Sequence, residues 1–124
     1  MSGRLAALAL VLALGGCATA RVYDGAARPA GELARIDGSP RFSAGLPIAA
    51  VIRKVDSAVL GTGYSRANVT PGPHTVLVDC IVYAAHTTTR FELAINAEAG
   101  GRYLLVPVSA AGNQSCEAVH VELR

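Results

Sequence analysis

The chain contains no apolar stretch of the roughly 20 residues that a membrane-spanning helix requires. It has no C-x-x-C pair, no H-E-x-x-H, no Gly-flanked serine of the nucleophile-elbow type and no internal repeat. Charge of one sign is also missing: 11 Lys and Arg face 9 Asp and Glu, a formal net charge of +2. That balance is no electrostatic footprint for nucleic acid or for an anionic surface. Lys54 is the only lysine, so the basic side chains are otherwise arginine. At 124 residues the chain has room for one domain.

The longest apolar run, residues 5–14, holds only Leu, Ala and Val and follows a single basic residue, Arg4. As a helix it would rise about 15 Å, half of a hydrocarbon core of about 30 Å. A short basic start, a short apolar core and then small residues form the pattern of a secretory signal peptide. Leu14-Gly15-Gly16-Cys17, at the end of that run, resembles the bacterial lipobox. The resemblance implies cleavage before Cys17, with a diacylglycerol thioether on its sulfur and acylation of its freed amine. Two or three acyl chains hold a protein at a membrane far more firmly than one. An ordinary cut after Ala18-Thr19-Ala20, which would discard Cys17, is the alternative. Asp after the lipidated Cys favours inner-membrane retention; Ala18 stands there, so the resemblance implies an outer-membrane anchor with the domain facing the periplasm.

This assignment divides the chain into a signal peptide over residues 1–16, a flexible tether over 17–31 and a domain over 32–124. The tether is rich in Ala, Gly and Arg and shows neither helical nor strand periodicity. With Cys17 given to lipid, Cys80 and Cys116 remain as an even pair in an oxidising compartment, where a disulfide is expected. Two buried free thiols are the alternative.

Beyond the tether, seven segments read as strands between Gly and Pro punctuation. They cover residues 33–37, 48–55, 64–69, 74–83, 88–97, 102–108 and 116–123. In the fourth, Val76, Val78, Cys80 and Val82 share one face, while Leu77, Ile81 and Tyr83 point the other way. In the fifth, Thr89, Phe91, Leu93, Ile95 and Ala97 form the apolar side, opposite Thr88, Arg90, Glu92, Ala94 and Asn96. The last places Glu117, Val119, Val121 and Leu123 on one side. Asp37-Gly38-Ser39-Pro40 and Thr70-Pro71-Gly72-Pro73 read as turns. No convincing helix follows the signal segment. This pattern predicts an all-β fold, an antiparallel immunoglobulin-like or transthyretin-like sandwich of about seven strands.

The order of residues 52–56, then Val69-Thr70-Pro71-Gly72-Pro73-His74-Thr75-Val76, then Ala99-Gly100-Gly101-Arg102-Tyr103 is similar to small bacterial β-sandwich lipoproteins and PEGA-like surface modules. In those a P-G-x-H turn precedes one strand and an a-G-x-x-Y step begins a later one. The likeness covers residues 33–108, and Ser57 stands where the pattern favours Gly. It implies a fold and a location, and no active residue.

Residues that could carry chemistry are few. His74, His86 and His120 fall on a turn-to-strand junction, a connection and the final strand. Two ligands such as His120 and Glu122 with a distant His74 fall far short of a metal signature. Ser65, Ser109 and Ser115 have no identifiable base, and no free thiol remains for nucleophilic work. Gly61-Thr62-Gly63 is too short for a phosphate loop and reads as a hairpin. Asp79, in an apolar strand, is expected to pair with an arginine. No catalytic residue, metal ligand or cofactor is therefore expected. The sequence predicts a non-enzymatic envelope protein, lipid-anchored at Cys17, with an envelope protein or glycan as partner and no nucleic acid. Two alternatives stand beside it. One is a periplasmic ligand-binding module or enzyme using His74, His86 or His120 with Tyr64 or Tyr83; the other is an accessory lipoprotein of a secretion machine.

Overall fold

A computed structural model of the chain describes residues 18–39, 42–43, 46–61, 64–110, 112 and 114–124. The signal segment, Cys17 and the Thr62-Gly63 pair therefore lie outside the described residues. Ten strands run through the rest: β1 (Ala18–Val22), β2 (Ala34–Asp37), β3 (Phe42–Ser43), β4 (Leu46–Val55), β5 (Ala58–Val59), β6 (Tyr64–Val69), β7 (Gly72–Val82), β8 (Thr87–Ala97), β9 (Arg102–Ser109) and β10 (Cys116–Leu123). A single 3-10 turn, Ala30–Glu32, precedes β2. Among the described residues no helix is long and apolar enough to cross a membrane.

The strands form two layers, as expected. The first sheet has the order β1-β6-β2-β9-β10, and the second has β3-β4-β7-β8 with β5 on β4. All seven strands read from the sequence are present as β2, β4, β6, β7, β8, β9 and β10. The first sheet is mixed, because β1 runs parallel to β6 and β2 parallel to β9. The second sheet is antiparallel throughout.

The segment expected as a flexible tether departs from that reading at its start. Ala18–Val22 is the edge strand β1, paired with β6 from Ala18↔Tyr64 to Val22↔Val69. Five residues interrupted by Arg21 are too few to show a period, and the pairing is set by the free edge of β6 rather than by local pattern. Ala20 and Val22 pack against the core.

The core lies between the sheets and is almost wholly small and aliphatic. The second sheet contributes Ile48, Ala50, Ile52, Val55, Val76, Val78, Cys80, Val82, Ile95 and Ala97. The first contributes Ala34, Ile36, Ala67, Val69, Tyr103, Leu105, Cys116 and Val119. Period-two alternation produces the β7 and β8 faces as predicted, with the β8 outer residues exposed. Two bulges alter the period elsewhere. In β4 the register moves from Ile52↔Val78 to Lys54↔Leu77, so Arg53 is the extra residue and both Ile52 and Val55 face inward. In β10 it moves from Cys116↔Ser109 to Ala118↔Val108, so Glu117 is the extra residue. Cys116 and Val119 then point into the core, while Glu117 is exposed instead of sharing the Val119 face.

Three of the crossings between the layers explain glycine-rich motifs. After β2 the chain passes to β4: Gly38 donates to the Ser65 carbonyl at 2.9 Å, and the Ser39 hydroxyl accepts from the Ala50 amide at 3.0 Å. A Cβ on Gly38 would stand 2.8 Å from the Ala50 carbonyl oxygen, so no side chain fits. Between β6 and β7, Gly72 takes a φ of 126°, a conformation open to glycine. Between β8 and β9, Gly100 takes a φ of 77°, and the buried Tyr103 hydroxyl accepts from the Glu98 amide at 2.9 Å. That last arrangement is a tyrosine corner, and it gives the Ala99-Gly100-Gly101-Arg102-Tyr103 step its physical content.

The layers are also joined covalently. Cys80 on β7 and Cys116 on β10 form a disulfide with a Cα–Cα distance of 6.1 Å and a sequence separation of 36. In the chain-entropy account a loop of this length stabilises the fold by about 4 kcal/mol. A Cys80→Ala/Cys116→Ala variant should therefore unfold at a clearly lower urea concentration, with a larger m-value because its unfolded chain expands. Equilibrium urea titration checks this, and an unchanged midpoint would refute it.

Candidate functional site

The strongest polar cluster lies on the outer face of the second sheet. Asp79, in the middle of β7, is only 5% exposed and is the one buried charged residue among those described. Its direct cross-strand neighbour is Arg90. Arg90 donates through Nε to Oδ1 at 2.8 Å and through a terminal nitrogen to Oδ2 at 3.1 Å. Arg53, the bulge residue of β4, donates through Nε to Oδ2 at 2.9 Å. Arg90 above all, and then Arg53, hold the Asp79 carboxyl below the usual carboxylate range against the opposing effect of burial. This is the arginine pairing expected for Asp79, and both of its oxygens are spent in it.

A second cluster joins two turns at one end of the sandwich. Asp56, in the two-residue loop between β4 and β5, adopts a left-handed φ of 53°. Two-residue hairpin loops call for positive φ at that position, and Asp tolerates it better than most residues. Its carboxylate accepts from the Thr75 amide at 2.9 Å and lies 2.6 Å from His74 Nδ1. The Thr70 carbonyl can only accept, so His74 Nε2 donates to it at 2.6 Å. His74 foremost, then the Thr75 amide, lower the Asp56 pKa. Both nitrogens of His74 are thereby committed to the fold, and the Pro71-Gly72-Pro73-His74 motif is a clip between turns.

The other two histidines lie elsewhere. His86 has a left-handed φ of 54° in the turn after β7, and it is exposed. It stands at the opposite end of β7 from His74, roughly 25 Å or more away by strand rise. His120 is exposed on β10 in the other sheet. No group of three His, Cys, Asp or Glu among the described residues could hold a metal ion. The structure therefore brings no two of the three candidate histidines into one cleft, and of the two tyrosines weighed with them Tyr64 lines a groove.

Two grooves formed by described residues stand out at the surface. The larger, about 440 Å³, lies over the first sheet and is lined by Thr19, Arg35, Asn68 and Arg102 with the Gly100-Gly101 backbone. Arg35 Nε is 3.0 Å from Asp37 Oδ1, and Arg102 approaches Asp37 Oδ2 at 4.0 Å. One carboxylate thus faces two guanidinium groups. That composition favours a polar or anionic contact. The smaller groove, about 220 Å³, is lined by residues of β1, β5 and the start of β6, among them Ala20, Arg21, Val59 and Tyr64. Two of the four large apolar residues exposed among those described, Val59 at 77% and Tyr64 at 43%, belong to this groove.

No family model, curated protein or solved structure matches the chain.

The grooves were not legible beforehand, since both depend on β1, which carries no periodic signal. The Asp56–His74 link had a partial signal in the Thr70-Pro71-Gly72-Pro73 turn next to His74, but nothing local joins residues 18 apart.

Both lowered carboxyls predict acid sensitivity. The folded state holds these protons less tightly than the unfolded chain, so their stabilisation is complete above the ordinary Asp value of 3.8. It is lost as pH falls through the folded values. The urea midpoint should drop as pH falls below about 4, and an Asp56→Asn/Asp79→Asn variant should show a shallower drop from a lower starting midpoint. At neutral pH, Asp79→Asn alone should cost about 1–3 kcal/mol, because it weakens charge-assisted bonds at a buried position.

Proposed function

We propose that the chain is a non-enzymatic, lipid-anchored protein of the bacterial cell envelope, attached through Cys17 to the outer membrane and facing the periplasm. Its sandwich presents strand edges and end loops to an envelope protein or glycan. The observation that carries this reading is strand β1. A cut after Ala20 would remove three of its five residues, Ala18, Thr19 and Ala20. Ala20, which packs on the core, would be lost with them. A cut before Cys17, as the Leu14-Gly15-Gly16-Cys17 pattern implies, leaves β1 whole. The Cys80–Cys116 disulfide supports export, since such bonds persist in oxidising compartments. The residues with chemical potential support the non-enzymatic part, because Asp79, Asp56 and His74 are engaged in structural pairs. Edge strands and end loops are the surfaces through which small sandwiches commonly bind.

Growth of a bacterial host with an alkyne analogue of palmitate tests the anchor. The wild-type protein should carry the label and begin at an acylated Cys17, and Cys17→Ser should lose the label. An unlabelled mature protein beginning at Arg21 would overturn the reading. In-cell crosslinking followed by mass spectrometry tests the interaction role: a specific envelope protein or glycan should be recovered, and an anchored domain that crosslinks to nothing would count against it.

A further inference from the structure

The smaller groove acquires a definite partner when β1 and Cys17 are taken together. In the anchored reading, on which this inference rests, Cys17 sits at headgroup level with its acyl chains in the bilayer. The next residue, Ala18, is already in the sheet, opposite Tyr64. Consecutive Cα atoms are about 3.8 Å apart and neighbouring strands about 4.8 Å. The backbone of Tyr64 therefore lies within about 10 Å of the lipid-bearing residue. No tether separates the domain from the membrane, and the flank bearing the start of β1 is held against it.

The side chains on this flank suit such a position. Tyr64 and Val59 are exposed and line one groove, which Arg21 also lines. Lys54 is paired with Val59 across the β4–β5 hairpin. Tyrosine is favoured at the membrane–water interface, and basic side chains favour anionic headgroups. Val59, 77% exposed, presents an apolar side chain on this flank beside Tyr64.

We propose that the flank formed by the start of β1, Val59 of β5 and Tyr64 of β6 is a membrane-contact surface, which rests on the bilayer and fixes the orientation of the sandwich on its anchor. The contact does not require a protein partner, and it leaves the distal strand β10 facing away from the membrane.

Photocrosslinking of the lipidated full chain in phosphatidylethanolamine/phosphatidylglycerol vesicles tests this. Benzoylphenylalanine is placed singly at Val59, at Tyr64 and, as a control, at the exposed His120. That control lies on β10, four strands from β1 and roughly 19 Å across the sheet. Retention of the Cys80–Cys116 bond on non-reducing gels selects folded protein. Phospholipid adducts are expected at positions 59 and 64 and not at 120. A Gly-Ser spacer of about 12 residues between Cys17 and Ala18, with an r.m.s. reach of about 20 Å, should lower both yields about fivefold or more. Equal lipid yields at all three positions would overturn the contact while leaving the anchor reading intact, provided the protein carries the palmitate label. The same holds for yields unchanged by the spacer, or for protein adducts in cells at 59 and 64 without lipid adducts. Loss of the palmitate label from wild type would instead remove the anchor and the contact together.

Discussion

The Cys80–Cys116 bond runs from the inner face of β7 to the inner face of β10 and joins the sheets where apolar packing is weakest. On that side Phe91 and Leu93 of β8 are only half-buried, and Val121 and Leu123 of β10 are exposed. β8 and β10 are both edge strands, so among the described residues nothing beyond them completes the core there. Elsewhere the interior is closed by Ile, Val, Leu and Ala, with Tyr103 as the one fully buried aromatic among the described residues. A core of small side chains buries limited area per residue, and small domains retain little net stability. A covalent link across the open side offsets that deficit by restricting the unfolded chain. It also accounts for the β10 bulge. Without the extra residue Glu117, Cys116 and Val119 would point to opposite faces, and the sulfur could not reach β7 while Val119 stayed inside.

The same economy governs the polar residues. A sandwich with crossings at Gly38, Gly72 and Gly100 needs its turns held in place, and the Asp56–His74–Thr70 cluster does so for the end where β4, β6 and β7 meet. The Arg53–Asp79–Arg90 group fastens three consecutive strands, β4, β7 and β8, on their outer face. Arg53 can reach Asp79 because the β4 bulge releases it from the ladder. Asp79 and His74 look like candidates for chemistry when read as isolated letters, but each has its bonding capacity filled by these contacts.

Much of this was legible in the sequence because strands of six residues or more impose a period of two. The faces of β7 and β8, six of the seven main strands and the pairing of Cys80 with Cys116 follow from that period and from cysteine arithmetic, while the four-residue β2 was marked by the Asp37-Gly38-Ser39-Pro40 turn that ends it. What escaped has physical reasons. β3 and β5 have two residues each, too few for any period. β1 has five, and its pairing is dictated by an edge far along the chain. A bulge removes the period at one point, so the predicted grouping of Glu117 with Val119 failed although the strand itself was found. The parallel pairing of β2 with β9 depends on the path of the chain through the other layer, which no local pattern encodes.

β1 changes most about how the molecule is understood. A tethered sandwich samples many orientations, and any edge or loop is then equally available to a partner. A sandwich whose first strand begins one residue after the anchor has few orientations left, because the backbone leaving the membrane is fixed in the sheet by hydrogen bonds. In the anchored reading the β1 edge, although formally free, is turned toward the lipid and withdrawn from strand addition. The opposite edge, β10, keeps its exposed Val121 and Leu123, and in that reading it is the side left open to a partner. An anchor at the start of a strand would thus divide the surface in two, through the short link to the sheet as well as through the side chains of the flank that faces the lipid.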